Sequence, residues 1–285
     1  MTRLVEPDRL RASLVTSSGG PAGSPWVELE HHRTTASTNA RALELARPGL
    51  VVLADHQSAG RGRMSRAWES PPGASLLLTA TVPLPAVGAG WLPLLTGLAV
   101  QRAVRGVCGL EAVLKWPNDV LLPAEDDRKV CGILCEVGGA TDSARGAVVA
   151  IGIGLNVAQG RDDLPVPTAT SLALARSAMG GTDSTDGTDG TDGMDLTDLA
   201  AAVLTHLGQA YSALTGGGPA VAGERAAYRQ ACSTLGREVR LHRLGAPDVV
   251  GTVVEVDDEG RLVIDVGGVR TAWAAGDVVH VRPAR

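Results

Sequence analysis

The chain has 285 residues, of which 44% are hydrophobic and 2% aromatic, with no Phe, so its core must consist mainly of Leu, Val and Ala. This length predicts about two domains. The net charge of −5 argues against a nucleic-acid-binding protein, because such proteins usually have a basic domain. No segment approaches the ~20 apolar residues of a membrane span, and none resembles a signal peptide, so we expect a soluble, cytoplasmic protein.

The first 25 residues are polar and end in a Gly-, Ser- and Pro-containing stretch. We expect residues 1–25 to form a flexible N-terminal tail that is too short for a helix-turn-helix domain. A short strand is predicted over 26–32. Ser37, Thr38 and Asn39 then precede a helix that Pro-Gly ends, so they suit the N-cap of that helix. A helix N-terminus also offers free N–H groups to a polar ligand, and both roles stay open.

The most distinctive stretch is the loop 55–73, which lies between two apolar runs that predict strands. It contains three arginines, three glycines and one tryptophan, Trp68. Glycine lets the backbone approach a ligand closely, and arginine provides a forked, permanently charged donor for carboxylate or phosphate oxygens. The composition therefore predicts a site for a small anionic molecule. The alternative is a surface loop that contacts nucleic acid, which the acidic whole chain disfavours.

A helix is predicted over 92–107, and a hairpin follows it, with a turn at Asn118-Asp119 between apolar runs. Residues 128–136 return as a strand. The chain has only two lysines, Lys115 and Lys129, and both belong to this hairpin and strand. Because lysine is so rare here, we interpret the two positions as ones where the chemistry requires an ammonium group.

The remainder of the chain predicts a strand over 147–157, helices over 199–214 and 224–235, and five short strands after Gly236. The two glycines at 152 and 154 are no dinucleotide-binding motif, because the third glycine and the helix are missing. Thr-Asp-Gly repeats within 180–198 contain no apolar residues and predict a disordered acidic insert. The four cysteines have neither disulfide nor metal-site spacing and are predicted to be small buried residues.

Four blocks carry a resemblance to a known family. They are Ser37-Thr38-Asn39, the loop Gln57–Arg63 with Trp68 and Ser70-Pro71-Pro72-Gly73, the segment Lys115-Trp116-Pro117-Asn118-Asp119, and Lys129 to Glu136. Together they resemble the biotin–protein ligases, and the only departure is a slightly long turn at 123–127. The resemblance covers about residues 27–281.

The resemblance implies an α+β fold. A mixed sheet flanked by helices, of the class II synthetase-like type, would form the biotin- and ATP-binding catalytic domain over 26–235. A small C-terminal SH3-like β-barrel would occupy 236–285. The implied protein is a monofunctional ligase without an N-terminal DNA-binding domain, and a homodimer is left open.

The implied reaction has two steps: biotin and ATP form biotinyl-5′-AMP, and a lysine of the biotin carboxyl carrier domain of an acyl-CoA carboxylase then accepts biotin. Mg²⁺ would accompany ATP, with Asp119 as its candidate ligand. The residues expected to act in catalysis are Lys129, Arg63, Lys115 and Asp119. Those expected to bind biotin are Ser37, Thr38, Asn39, Gln57, Arg61, Gly62, Arg63, Lys129 and Gly132. Those expected to bind ATP or the adenylate are Arg63, Arg66, Trp68, Lys115, Asn118 and Asn156.

Three other functions would be compatible with parts of the sequence. A ligase that is also a repressor needs a DNA-binding domain that residues 1–25 are too few to form. A lipoate-type protein ligase would carry an Arg-Arg/Gly-Gly-Gly motif, which this sequence lacks. A non-catalytic biotin- or nucleotide-binding module would have no need to keep Lys115 and Lys129 in a lysine-poor chain.

Overall fold

The structure is a computed structural model that describes residues 4–17, 24–138, 146–179 and 194–281. Its helices are α1 (Pro7–Ser17), α2 (Thr38–Leu45), α3 (Leu92–Ala103), α4 (Leu172–Ala178), α5 (Leu196–Gly216) and α6 (Gly218–Ala231). The first seven strands are β1 (Glu28–His32), β2 (Leu50–Ala54), β3 (Ser75–Pro83), β4 (Val113–Lys115), β5 (Asp119–Leu122), β6 (Arg128–Gly138) and β7 (Val148–Asn156). The last five are β8 (Glu238–Arg243), β9 (Ala246–Val256), β10 (Leu262–Val266), β11 (Val269–Trp273) and β12 (Asp277–His280).

The first seven strands form one sheet in the order β1-β2-β3-β7-β6-β5-β4. Strands β1 and β2 are parallel, and every other neighbouring pair is antiparallel. The predicted mixed sheet is therefore confirmed. The long β3, β6 and β7 lie at its centre, and the lysine-bearing hairpin forms one edge.

Both faces of this sheet are covered, as the side-chain alternation of a strand requires. On β2, Val51 and Leu53 belong to the main core with α3 and α5, whereas Leu50 and Val52 pack with Ala42 of α2 on the opposite face. The same alternation on β7 directs its isoleucines into the main core. Its glycines consequently lie on the α2 face, where the cavity described below opens.

The N-terminal segment is ordered where we expected a tail. Residues 7–17 form α1, and Leu10 is fully buried against the core. The Glu6 N–H donates to Thr197 Oγ1 at 3.0 Å, and Arg9 pairs with Asp195 at 2.5 Å. The prediction of a flexible tail is wrong for these residues, because α1 packs on α5 and β1 and buries Leu10 in the core.

An acidic insert was expected over 180–198, and residues 180–193 of it lie outside the described residues. Its last residues contradict the prediction. Asp195 is the N-cap of α5, and its side chain accepts from the N–H groups of Thr197 and Asp198. Met194 and Leu196 are buried in the core. These residues begin a helix because the first apolar side chains after the repeats reach the core.

The last five strands form an antiparallel sheet in the order β11-β10-β9-β8-β12. This confirms the small all-β unit predicted at the C-terminal end, while the exact domain boundaries stay predictions. Two indole N–H groups, one just before α3 and one in the turn after β4, join this unit to the rest of the protein. Trp91 donates to the carbonyl of Asp258 at 2.9 Å, and Trp116 donates to that of Gly260 at 3.0 Å.

Two further expectations concern the chain as a whole. None of the helices in the described segments is long and apolar enough to cross a membrane. All four cysteines are free, with Cys131 and Cys232 buried and the other two half-buried. Burial raises the pKa of the Cys135 thiol to about 12, so it is protonated and unreactive at neutral pH.

Candidate functional site

A cavity of about 50 Å³ opens on the α2 face of the sheet, beneath the arginine- and glycine-rich loop. Of the residues predicted from the sequence, eleven line it: Ser37, Thr38, Asn39, Gln57, Arg61, Gly62, Arg63, Trp68, Asn118, Lys129 and Gly132. The fold thus brings together segments that are distant in the sequence. Four predicted residues do not line it: Arg66, Lys115, Asp119 and Asn156.

One end of the cavity, here called the ring end, is formed by the N-terminus of α2. Ser37 is the N-cap, and its Oγ accepts from the N–H of Ala40 at 3.4 Å. Both the N–H and the Oγ1–H of Thr38 point at Gln57 Oε1, at 2.7 and 3.0 Å. Since the Gln57 oxygen is occupied, its Nε2 donors are left for a ligand, as is the hydroxyl proton of Ser37.

Asn39 closes the ring end and is held by bonds on both sides of its amide. Its Nδ2 donates to the carbonyl of Leu134 at 3.1 Å and to Glu136 Oε2 at 2.8 Å. Thr79 Oγ1 lies 2.6 Å from Asn39 Oδ1 and donates to it. An amide nitrogen has two N–H donors, so Asn39 can offer a ligand only the second lone pair of its oxygen.

The floor of the cavity is glycine backbone covered by the Trp68 indole. A Cβ added to Gly154 would lie 2.5 Å from Trp68 Cε2, and one added to Gly132 would lie 2.9 Å from Trp68 Cζ3. Any larger residue at these positions would displace the ring. Glycine in a strand often marks such a close approach. In this structure the indole therefore lies flat on β6 and β7.

The loop above the cavity has its own hydrogen bonds. The N–H of Gly62 donates to the carbonyl of Arg66 at 2.7 Å, and the N–H of Trp68 donates to that of Gly60 at 2.9 Å. Met64 and Ser65 at its tip have φ angles of 55° and 59°. Left-handed conformations are uncommon for residues other than glycine, and they let the loop reverse direction within a few residues.

Each loop arginine has a protein partner. Arg61 pairs with Glu136 at 3.1 Å. Arg63 donates to Asn118 Oδ1 at 3.0 Å and to the carbonyl of Gly276 at 3.2 Å, and Arg66 pairs with Asp277. Two of the three arginines thus join the loop to the C-terminal sheet. Burial lowers the pKa of Arg63, although the nearby Asp119 carboxylate opposes that shift.

The other end of the cavity, here called the phosphate end, is cationic. Lys129 Nζ lies 2.6 Å from Asp119 Oδ1 and 5.8 Å from the centroid of the Trp68 ring. Burial lowers the pKa of Lys115; Asp119 opposes this shift, whereas Lys129 and Arg66 reinforce it. Lys129, Arg63 and Lys115 lie near the Asp119 carboxylate, and Arg66 beside them pairs with Asp277. The cations outnumber the carboxylates, and this excess of positive charge suits a polyanionic ligand.

Asn156 lies away from the cavity, in a buried polar cluster at the end of β7. Its Nδ2 donates to the carbonyl of Thr170 at 3.0 Å, and its Oδ1 accepts from Gln159 at 2.9 Å. Gln159 also donates to Ser75 at 2.6 Å. The cluster supports the end of the loop through Ser70, which donates to Ser75 at 2.8 Å. A nucleotide-binding role for Asn156 stays a prediction.

Sequence reasoning missed several residues that shape the site. Thr79 gave no indication of its role, because it is one threonine within an apolar strand. Glu136 belongs to a recognised block, but its partners are distant in the sequence. Gly152 and Gly154 were visible as alternating glycines on a strand, which is a pattern typical of close approach by another group.

No group of three or more potential metal ligands occurs within the described segments.

Structural comparison identifies the fold. The biotin protein ligase from Aquifex aeolicus, solved in complex with biotin and ATP, superposes with a TM-score of 0.70 over 90% of this chain and 100% of that chain, at 24% identity. Its apo structure gives a TM-score of 0.69 at 21% identity, with 90% and 100% covered. At these identities the likeness establishes a shared fold, which confirms the predicted α+β class.

Sequence comparison establishes the family. Residues 30–156 match the biotin/lipoate A/B protein ligase family, and residues 234–281 match the biotin protein ligase C terminal domain. A biotin–[acetyl-CoA-carboxylase] ligase from Mycobacterium tuberculosis is 35% identical over 98% of this chain and 100% of its own length. The bifunctional ligase/repressor BirA of Salmonella typhimurium is 29% identical over 97% of this chain and 78% of its own length. The chain belongs to the biotin protein ligase family.

Proposed function

We propose that this protein is an ATP-dependent ligase that forms biotinyl-5′-AMP and transfers biotin to a lysine of a biotin carboxyl carrier domain. The observation that carries the proposal is the pairing of two unlike ends in one cavity. The ring end is a neutral hydrogen-bonding network, and the phosphate end is a cluster of cations. Biotin has the same polarity, with a neutral cyclic urea at one end and a carboxylate at the other.

At the ring end, the free groups match a cyclic urea. The hydroxyl proton of Ser37 and the Nε2 protons of Gln57 are donors that suit the urea oxygen. The oxygens of Thr38 and Asn39 are acceptors that suit its N–H groups. Because their protein partners already orient these side chains, binding requires little ordering of the site. Arg61, Gly62 and Gly132 line the path toward the carboxylate.

In the first step, an oxygen of the biotin carboxylate attacks the α-phosphorus of ATP, and pyrophosphate leaves. Both reactants are anions, so the step requires cations to bring them together and to stabilise the charge that develops. Lys129 is assigned to the reacting carboxylate and α-phosphate, while Lys115 and Arg63 are assigned to the phosphates. Arg66 adds charge beside them, and Asn118 holds Arg63.

Mg²⁺ is proposed to enter with ATP. A site made only of protein groups does not fit, since Asp119 pairs with Lys129 and the nearby Asp277 pairs with Arg66. Mg²⁺ commonly uses one or two carboxylates together with substrate phosphates. Asp119 would hold the ion on that basis, and the ion would neutralise phosphate charge. Asp119 is also proposed to orient the incoming lysine.

In the second step, the ε-amine of the acceptor lysine attacks the biotinyl carbonyl, and AMP leaves. The adenylate is a reactive mixed anhydride that water would destroy, so the site must shield it. The loop and Trp68 are proposed to cover it, with the indole stacked on adenine. A homodimer and a cytoplasmic location stay predictions.

A ligase assay tests this proposal. The protein is incubated with biotin, ATP, Mg²⁺ and a purified carrier domain, and biotinylation is read by streptavidin blot. We expect labelling that requires both ATP and the acceptor lysine, with no labelling when that lysine is replaced by arginine. Labelling by lipoate in place of biotin, or none with either acid, would overturn the proposal.

A further inference from the structure

Glu136 touches the ring end of the cavity from behind. It lies on β6, its side chain is 27% exposed, and it is not among the residues that line the cavity. Its Oε2 atom accepts from Asn39 at 2.8 Å and from Arg61 at 3.1 Å, and both partners do line the cavity. One carboxylate oxygen therefore holds two groups that a ligand would meet.

The contact with Asn39 determines which way that amide faces. The oxygen and nitrogen of an asparagine amide can exchange places by a half-turn, and hydrogen-bond partners decide between the two orientations. Glu136 and the Leu134 carbonyl can only accept, so they fix the nitrogen on the β6 side. The oxygen then faces Thr79 and Gly152, where an added glycine Cβ would lie 2.2 Å from it.

The contact with Arg61 is the weaker of the two. The Arg61 side chain is 45% exposed, and ion pairs between exposed groups contribute little because water screens them. Asn39, in contrast, is 4% exposed, and a hydrogen bond from a buried amide to a charged acceptor is among the stronger ones. The effect of Glu136 on the site should consequently pass mainly through Asn39.

We propose that Glu136 is a positioning residue for the ring end: it holds the Asn39 amide with its oxygen toward the cavity, as an acceptor for a ligand N–H. This role rests on the proposed function, since the urea N–H groups of biotin are the donors concerned. If the amide turned over, it would present N–H groups to N–H groups. Glu136 therefore sets affinity for biotin without touching it.

The test compares two substitutions at this position. Glu136→Leu removes the acceptor, and we expect the biotin KM to rise by about 10-fold or more, the scale of one lost charged hydrogen bond. Glu136→Gln keeps one oxygen in place, so its biotin KM should stay within about 3-fold of wild type. The KM for ATP and the kcat at saturating biotin should change little in both. Pyrophosphate exchange dependent on biotin provides all three constants for each variant.

Glu224→Leu is the matched control. Glu224 is a half-buried carboxylate that accepts from Arg102 at 2.9 Å, in contact with no residue of the cavity. We expect the same loss of melting temperature as for Glu136→Leu or a larger one, with an unchanged biotin KM. If Glu136→Leu instead lowered kcat and raised both KM values in proportion to its loss of stability, the residue would be merely structural and the inference wrong.

A double-mutant cycle tests whether Glu136 acts through Asn39 or through Arg61. In an Asn39→Ala background, Glu136→Leu should change the biotin KM by less than about 2-fold, because the amide it positions is gone. In an Arg61→Gln background, it should keep most of its effect. Equal effects in all backgrounds would contradict the inference. Failure of the wild type to exchange pyrophosphate with biotin would instead refute the proposed function, so the two failures are distinguishable.

Discussion

The two ends of the cavity are organised by opposite rules. At the ring end, nearly every polar group already has a protein partner, and Asn39 has used both of its N–H donors. At the phosphate end, Lys115 is half-buried near Lys129 and Arg66, and its pKa is lowered as a result. Asp119 pairs with Lys129 and Asp277 pairs with Arg66, so the cations outnumber the carboxylates.

This difference shows how one site can divide recognition from chemistry. A satisfied neutral network discriminates by shape and by donor and acceptor pattern, because a wrong ligand leaves buried groups unpaired. A cluster with more cations than carboxylates costs stability in the free protein but attracts the charge that forms in the reaction. Changes at the ring end should therefore act on biotin affinity, and changes at the phosphate end on rate.

The largest expected effect is at Lys129. Lys129→Arg keeps the charge, but a guanidinium is larger than an ammonium and spreads its charge over a plane, so it cannot reproduce the compact charge that lies 2.6 Å from Asp119. We expect pyrophosphate release to fall by at least ~10²-fold, the scale of one lost electrostatic stabiliser. Arg128→Lys, the reverse exchange on the adjacent residue, should remain near wild type. Release near the wild-type rate in Lys129→Arg would remove this lysine from the mechanism.

The next effect tests the glycine floor. Gly154→Ala would place a methyl group 2.5 Å from Trp68 Cε2, so the indole must leave the strand and enter the cavity. Overpacking of this kind costs about 1–3 kcal/mol, so the KM for ATP should rise by about 10-fold. Gly106→Ala is the control, since nothing lies within 4 Å of an added Cβ there. An unchanged KM in Gly154→Ala would show that the indole does not contact the nucleotide.

A smaller effect is expected where the loop meets the rest of the protein. Arg63→Gly removes the contacts to Asn118 and to the Gly276 carbonyl and adds backbone freedom. The adenylate should still form, but it should dissociate several-fold faster, because the loop loses two of its contacts and opens more readily. Stopped-flow dissociation and biotin on bystander lysines provide the two measurements. Tight retention with labelling confined to the carrier domain would exclude Arg63 from the closure of the loop.

The smallest effect concerns pH. Burial lowers the pKa of Lys115, so this lysine loses its proton at a pH below 10.5, the ordinary lysine pKa. Its attraction for phosphate is lost with the proton. The kcat/KM for ATP should then fall as pH rises through that lowered pKa. Lys115→Arg should move this decline to higher pH, because guanidinium stays protonated, while costing less activity at neutral pH than Lys129→Arg. If kcat/KM for ATP declined at the same alkaline pH in the wild type and in Lys115→Arg, Lys115 would not act through its charge.

How much the sequence predicts depends on how local each feature is. The loop, the lysine-bearing hairpin and the helix N-cap are each contiguous, and the structure brings the loop and the N-cap to one cavity with Asn118 and Lys129. Thr79 could not be found this way, because its partner Asn39 is distant in the sequence and the contact exists only after the sheet has formed. For the same reason, the order of α1 could not be foreseen, since its burial depends on α5.

The prediction for Asn39 shows a second limit. A motif identifies the residue as part of the site, but only the structure reveals that its donors are bound to Leu134 and Glu136. The number of free lone pairs and protons, and therefore what a side chain can offer a ligand, depends on its whole hydrogen-bond environment. Asn156 is similar, since its amide is committed to Thr170 and Gln159.

One biotin titration tests the separation of the two ends most directly. Biotin-dependent pyrophosphate release is measured for Gln57→Leu, which alters the ring end, and for Lys129→Arg, which alters the phosphate end. We predict that saturating biotin restores Gln57→Leu to within about 3-fold of wild type, because only affinity was lost, and that no biotin concentration restores Lys129→Arg. The account would be contradicted if both variants were restored or if Gln57→Leu stayed slow at saturation.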